Sequence, residues 1–249
     1  MHHPIALVTG ATSGIGKATA KLLASKNAMV IISGRRVPEG NQLVEEILAA
    51  GGQAQFIRCD VSDEEAVRSL IDNVVAEHGR IDWLAHCAAV SLEAKLFADA
   101  DTAVFKTMVD INLMGTYYVM KYAIRQMLQQ DSGAIVNISS IAGLKGSPLF
   151  GPYAATKFGV IGMSKSAALE YAARNIRINV VAPGGVRTEL LEGLFALGQF
   201  DEAAVAAMHP VKRIGEPLEI AQGIAWLLSD ESLFVTGHVL SIDGGLQAL

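Results

Sequence analysis

Thr9-Gly10-Ala11-Thr12-Ser13-Gly14-Ile15-Gly16 follows the apolar run Ala6-Leu7-Val8 directly and opens a helical stretch. A strand that feeds a glycine-rich turn and then a helix aims backbone N–H groups at an anion, and the helix N-terminus adds the positive end of its dipole. The glycines allow the tight turn and the close approach of a pyrophosphate. Their spacing is G-x-x-x-G-x-G and not the G-x-G-x-x-G of the common dinucleotide fingerprint, so the flanking strand and helix carry as much of the reading as the glycines do.

Outward from this turn, short β-type runs alternate with helical patterns: Ala6 to Thr9, Met29 to Ser33, Ala54 to Cys59, Trp83 to Cys87, Ala134 to Ser139, Arg177 to Ala182 and Val239 to Ile242. This alternation predicts βαβ units and a parallel sheet. Runs such as Ala134-Ile135-Val136-Asn137-Ile138 are apolar at nearly every position, as strands covered on both faces must be. Ser62 and Glu65 have capping-box spacing, and Ala66, Val67, Leu70, Ile71, Val74 and Val75 then repeat with helical period. The predicted fold is α/β: a Rossmann-type doubly wound, mainly parallel seven-stranded sheet with helices on both faces, in a single domain over residues 1–249.

Two longer helical stretches, Met114 to Gln129 and Tyr153 to Arg174, are poor in charge; between Phe158 and Leu169 the sole charge is Lys165. A helix apolar around most of its circumference must bury a second face, which predicts a homo-oligomer. Thr188 to Met208, with Leu190, Leu191, Leu194, Phe195, Leu197 and Phe200, is too long for an ordinary connection and reads as a substrate lid over residues 188–208.

Composition narrows the function. The chain is 51% hydrophobic and 18% charged, enough apolar surface for a sizeable core. A formal net charge of -5, with no basic cluster longer than Arg35-Arg36, argues against a nucleic-acid partner and for a small-molecule one. Every apolar stretch is broken by charge, Gly or Pro before the roughly 18 residues of a spanning helix, so no membrane partner is expected. Met1-His2-His3-Pro4 leads straight into the first strand with no signal-like segment, giving a cytoplasmic expectation. Cys59 and Cys87 each end an apolar run. In the usual 3-2-1-4 strand order they stand roughly 14 Å apart, beyond the about 7 Å that a disulfide spans, and so read as buried thiols. No H-E-x-x-H or similar spacing occurs, and no catalytic metal is expected.

The Thr9–Gly16 turn, Asp60-Val61, Ile111-Asn112, Ser139-Ser140, Tyr153-Ala154-Ala155-Thr156-Lys157 and Pro183-Gly184-Gly185-Val186-Arg187-Thr188 occur in an order that resembles the short-chain dehydrogenases/reductases, over essentially the whole chain. The resemblance implies an NAD(P)-dependent oxidoreductase that interconverts a ketone and a secondary alcohol by hydride transfer, assembled as a tetramer. It also implies that Gly10, Thr12, Ser13, Gly14, Ile15 and Gly16 form the cofactor loop and that Asp60 and Val61 hold the adenine. Cys87, Ala88 and Ala89 would flank the cofactor, Pro183, Gly184 and Val186 would line the nicotinamide site, and Thr188 would bond the carboxamide or the pyrophosphate. One departure stands out: His86-Cys87-Ala88-Ala89 occupies the place of the family's usual N-N-A-G. No catalytic group is lost by it, and His86 is expected to make a buried hydrogen bond.

Tyr153 and Lys157 share one helix face, which brings an ammonium near a phenol. A tyrosine that titrates near 10 serves as a base at neutral pH only if its anion is stabilised by about 4 kcal/mol. A cation about 4 Å away supplies a contribution of that order at an effective dielectric near 20. Ser140 resembles the family serine that binds the substrate oxygen, and Asn112 the asparagine that positions a water behind the lysine. Cofactor choice turns on the end of the second strand. An acidic residue there favours NAD, whereas this chain has Ser33-Gly34-Arg35-Arg36, whose guanidinium groups suit the extra phosphate of NADP. NADP is therefore expected over NAD. The apolar lid, with Val90, Leu92 and Leu149 expected nearby, favours an apolar or cyclic ketone or alcohol. A 3-oxoacyl thioester reductase and a non-catalytic NAD(P)-binding regulator or scaffold remain as alternatives.

Overall fold

The computed structural model describes residues 3–196, 198 and 200–249; Leu197 of the expected lid lies outside them. The strands are β1 (Ile5–Thr9), β2 (Met29–Gly34), β3 (Gln53–Arg58), β4 (Trp83–His86), β5 (Gly133–Ile138), β6 (Ile176–Pro183) and β7 (Val239–Ile242). Among the described residues they form one sheet in the order β3-β2-β1-β4-β5-β6-β7, and every neighbouring pair is parallel. The connecting helices are α1 (Gly14–Ser25), α2 (Val37–Ala49), α3 (Glu64–His78), α4 (Thr102–Met108), α5 (Gly115–Gln129), α6 (Gly151–Tyr171), α7 (Glu189–Ala196), α8 (Glu202–Met208) and α9 (Pro217–Leu228).

Side-chain alternation along each strand divides the core into two layers. Ala6 and Val8 of β1 pack with Leu23 of α1, Leu43 of α2 and Ile224 of α9, while Ile5 and Leu7 pack on the opposite face with Val67 and Leu70 of α3 and Val119 and Ala123 of α5. Strand order reverses between β1 and β4, which opens a crevice outside their carboxyl ends, where open α/β sheets take their ligands.

The local departures from expectation have clear causes. Asp63, not Ser62, caps α3: its carboxylate accepts from the N–H groups of Glu65 and Ala66, while the Ser62 hydroxyl donates to Asp60 at 2.8 Å. A carboxylate at this position also meets the helix dipole, which a hydroxyl does not. α6 begins at Gly151, because Pro152 fits the first helical turn, where no N–H is needed. A π-helical turn, Val109–Met114, joins α4 to α5 and carries Asn112. The lid segment resolves into two helices, α7 and α8, and not one loose stretch. No described helix is long and apolar enough to cross a membrane.

Candidate active site

A cleft of about 640 Å³ runs along the carboxyl ends of the strands. Its phosphate end is built by close backbone approach. Gly10 has φ 63, and a Cβ there would fall 2.6 Å from the backbone N of Ala88. A Cβ on Gly16 would lie 2.3 Å from the carbonyl oxygen of Gly10. The turn thus presses against both the first turn of α1 and the end of β4. Ser13 sits at the N-cap of α1 without bonding a first-turn N–H, so those donors are free to meet a phosphate. Thr188 leans over the same turn, its methyl 3.1 Å from where a Cβ on Gly14 would stand. These features fit a dinucleotide pyrophosphate.

Arg35 and Arg36 stand at the end of β2 on the rim of this half. The Arg35 guanidinium, its side chain 57% exposed, lies 3.7 Å from the Asp60 carboxylate. Burial raises the Asp60 pKa, but hydrogen bonds from Ser62 and the charge of Arg35 outweigh it and hold the carboxyl below its ordinary range. Arg36 donates to the Thr12 hydroxyl at 3.3 Å and to the Glu189 carboxylate of α7 at 3.0 Å, so it bridges the glycine turn and α7.

The chemical groups meet at the middle of the cleft. Ser140 follows β5 and its hydroxyl accepts from the N–H of Ala142 at 3.1 Å. Tyr153 and Lys157 enter from the first turns of α6, with the Lys157 ammonium 5.6 Å from the Tyr153 ring centroid. Lys157 is 2% exposed and donates to the carbonyl of Ile138 at 2.9 Å. Burial pushes the Tyr153 phenol up to about 12, opposed by its hydrogen bond with Ser140. The same burial brings the Lys157 ammonium down to about 8.

Asn112 stands behind the cleft wall and is not among its lining residues. Its amide accepts from Val90 N–H and donates to the Val90 carbonyl, both at 2.8 Å, and donates to the Thr156 hydroxyl at 3.2 Å. The other expected residues, Ile15, Val61, Cys87, Ala88, Ala89, Pro183, Gly184 and Val186 among them, all line the cleft. Cys59 and Cys87 are free thiols on the cleft wall, each held high by burial, at about 11 and about 12. His86 makes its buried bond with the Thr9 hydroxyl at 2.7 Å, and burial, helped by the nearby charge of Lys157, lowers it to about 3, so it stays neutral.

Beyond Tyr153 the cleft turns apolar. Phe150 stacks on Phe200 with centroids 5.5 Å apart and planes at 20°, and meets Tyr153 edge-on at 6.4 Å. Val90 is in the wall, but Leu92 and Leu149 are not: both are solvent-exposed, and Leu149 has φ 70 in a turn.

A family model described as enoyl-(acyl carrier protein) reductase matches residues 10–247. A cis-4-hydroxycyclohexanecarboxylate dehydrogenase of Sinomonas cyclohexanicum is 42% identical over 98% of this chain and 97% of its own. The chain belongs to the short-chain dehydrogenase/reductase family. This short-chain dehydrogenase/reductase is also 40% identical to a 3-oxoacyl-[acyl-carrier-protein] reductase of Thermotoga maritima, over 97% of each chain. Its fold matches the structure described as ElxO with NADP bound, at a TM-score of 0.94 and 39% identity over the whole of both chains. It is accordingly an NAD(P)-dependent oxidoreductase acting on secondary alcohols and ketones.

Sequence reasoning missed Phe150, Ser147, Val205, His209 and Leu246, all of which line the cleft of this short-chain dehydrogenase/reductase. None belongs to a spaced motif. His209 offered the one signal available, an isolated histidine just before a proline at the end of the apolar stretch 188–208.

Proposed function

We propose that this enzyme interconverts a neutral cyclic ketone and its secondary alcohol, with NADP preferred over NAD. The observation that carries the reading is the placement of Ser140, Tyr153 and Lys157 directly beneath an apolar wall built on Phe150 and Phe200. Among the described lining residues, Arg35, Arg36, Asp60 and Glu189 lie at the phosphate and rim end, and Lys157 is the one Lys, Arg, Asp or Glu elsewhere in the wall. Such a wall favours a neutral ring over a carboxylate. The cyclohexane ring named for the Sinomonas relative supports a cyclic substrate, though that relative's ring bears a carboxylate, and the relative named as a cyclohexanol dehydrogenase supports a neutral one. Bound NAD(P) supplies the hydride donor for reduction or the acceptor for oxidation. In reduction Ser140 holds the carbonyl oxygen, Tyr153 gives it a proton, and Lys157 stabilises the phenolate that results. Asn112 holds the Val90 segment against α6 through its bonds to Val90 and Thr156.

Cyclohexanone reduction with NADPH tests the reading, and Phe200→Ala sharpens it. The variant is expected to lose about tenfold in kcat/KM on cyclohexanone, the scale of one aromatic contact with a ring-sized ligand, and less on a linear ketone. Equal losses on both would remove Phe200 from substrate selection. The second reading, a 3-oxoacyl thioester reductase, is supported by the Thermotoga maritima relative. Faster turnover of an acetoacetyl thioester than of cyclohexanone would favour it over the ring.

Arg35 carries the cofactor preference. Its side chain is exposed at the rim and its partner Asp60 is 3.7 Å away, so it can turn to a 2′-phosphate without leaving a buried charge. Arg35→Asp is expected to weaken NADPH binding by about thirtyfold, the scale of a charge-assisted contact, with NADH changed little. Fluorescence titration with each cofactor checks this, and equal shifts for both would refute it. The preference is supported by the NADP-bound structural relative. The same proposal extends to a homo-oligomer, a tetramer by family resemblance, in the cytoplasm. Exposed Tyr117 on α5 and Phe158 and Leu169 on α6 support a buried second face.

A further inference from the structure

His209 ends helix α8 and is 3% exposed, yet nothing in the chemistry above uses it. Its Nδ1 faces the carbonyl oxygen of Val205 at 2.9 Å, and its Nε2 faces the backbone N–H of Gly185 at 2.9 Å. A carbonyl can only accept and an N–H can only donate, so the two bonds together select one form of the ring. That form is the neutral imidazole with its proton on Nδ1, which donates to Val205 and accepts from Gly185. The fit is steric as well. A Cβ on Gly184 would fall 2.7 Å from Nε2, and one on Gly185 would fall 3.0 Å from Cε1, so the paired glycines leave the space that the ring fills.

The ring thereby joins two parts of the cleft that the chain sets far apart. Gly185 belongs to the segment Pro183–Thr188, which runs out of β6 and is fixed on its other side by Gly215 N–H donating to the Gly185 carbonyl at 2.9 Å. Val205 and Met208 of α8 line the substrate half of the cleft. We propose that His209 is a positioning residue: it fastens lid helix α8 to the Pro183–Thr188 segment, so that the wall against the cofactor and the wall against the substrate are held in one arrangement. The inference rests on the lid reading of residues 188–208 but not on the identity of the substrate or on NADP over NAD.

Two variants and one measurement on the unaltered protein test it. His209→Phe keeps a flat ring but leaves the Gly185 N–H without an acceptor, whereas His209→Gln returns a side-chain oxygen at about the reach of Nε2. His209→Phe is expected to raise the KM for the ketone about tenfold, the order of one buried hydrogen bond, with kcat changed less. It should weaken NADH and NADPH equally, since the joint bonds Gly185 and Val205 and not Arg35, and hydrogen exchange at the Gly185 amide should quicken. His209→Gln should restore the KM, the cofactor affinities and the Gly185 exchange rate to within about twofold. Unchanged exchange at Gly185 and unchanged cofactor affinity in a folded His209→Phe protein would overturn the proposal, and so would a Gln variant as impaired as the Phe variant. Should the Phe variant fail to fold, the 15N spectrum of histidine-labelled wild-type protein decides. A proton on Nδ1 of His209 supports the joint, and a proton on Nε2 rules it out. Exchange and the 15N spectrum are read without substrate, so they stand whether or not cyclohexanone is turned over.

Discussion

Tyr153→Phe is expected to cut turnover about a thousandfold in either direction while leaving NADPH binding close to wild type, within the range that a positioned general acid or base contributes. The Tyr153 side chain is half-buried at the junction of the two halves of the cleft, beside Ser140 and with the Phe150 ring edge-on to it, so removing one oxygen leaves the shape intact. The high phenol pKa, about 12 in the protein alone, keeps it protonated at neutral pH and ready to donate during reduction. Oxidation asks for the phenolate, whose population rises with pH, so alcohol oxidation should quicken on the alkaline side while reduction stays nearly level around neutrality. Steady-state rates in both directions across pH, together with a fluorescence titration of the variant, check the assignment. Turnover within about tenfold of wild type would remove Tyr153 from the role of proton donor.

Lys157→Met is expected to make the protein more stable and nearly inactive. The lysine is buried, with its ammonium satisfied by the Ile138 carbonyl, and it titrates near 8 in the folded chain against an ordinary 10.5. Between those two values the unfolded chain binds more protons than the folded one, so the native state gains stability as pH rises through that window. Below about 8 the folded protein carries the whole cost of the buried charge, up to roughly 3 kcal/mol for a shift of this size. Methionine fills much of the same space without the charge. The loss of the bond to Ile138 offsets part of the gain, which leaves about 2 kcal/mol. That corresponds to a rise of about 5 °C in the midpoint of thermal unfolding near pH 7, shrinking towards pH 10 as the wild-type lysine loses its proton. The activity loss should exceed a hundredfold, since the phenolate of Tyr153 then has no cation beside it. Thermal unfolding of the cofactor-free protein at the two pH values tests the stability arm, and a lower midpoint for the variant at pH 7 would contradict it.

The two expectations together describe a site maintained against stability. A buried ammonium and a half-buried phenol each sit where their charged forms are disfavoured, and desolvation is the main cause of both shifts. A cleft in this condition responds strongly to a bound charge, because a low-dielectric wall screens it little. Burial thus makes the proton inventory of Tyr153 and Lys157 sensitive to what lies between them and the glycine turn.

Much of this molecule is determined by the sequence taken alone, because the rules involved are local. Apolar runs bounded by turns set the seven strands to within a residue or so at most ends, and covered strands must be apolar at every position. The glycine turn after β1 is forced by backbone contact, and the four-residue step from Tyr153 to Lys157 needs only a helix to bring them to one face. The residues that close the cleft were decided by tertiary structure. Phe150 meets Phe200, His209 meets Gly185, Asn112 clasps Val90, and Arg36 reaches Glu189 across 153 positions of chain. No periodicity links such partners, since their meeting depends on how α7 and α8 settle over the carboxyl ends of the strands. Even the choice of Asp63 over Ser62 as the cap of α3 followed from where the chain enters that helix, with the Ser62 hydroxyl already committed to Asp60. Spacing fixes what the backbone alone can bring together, and packing fixes everything that needs a second segment to arrive.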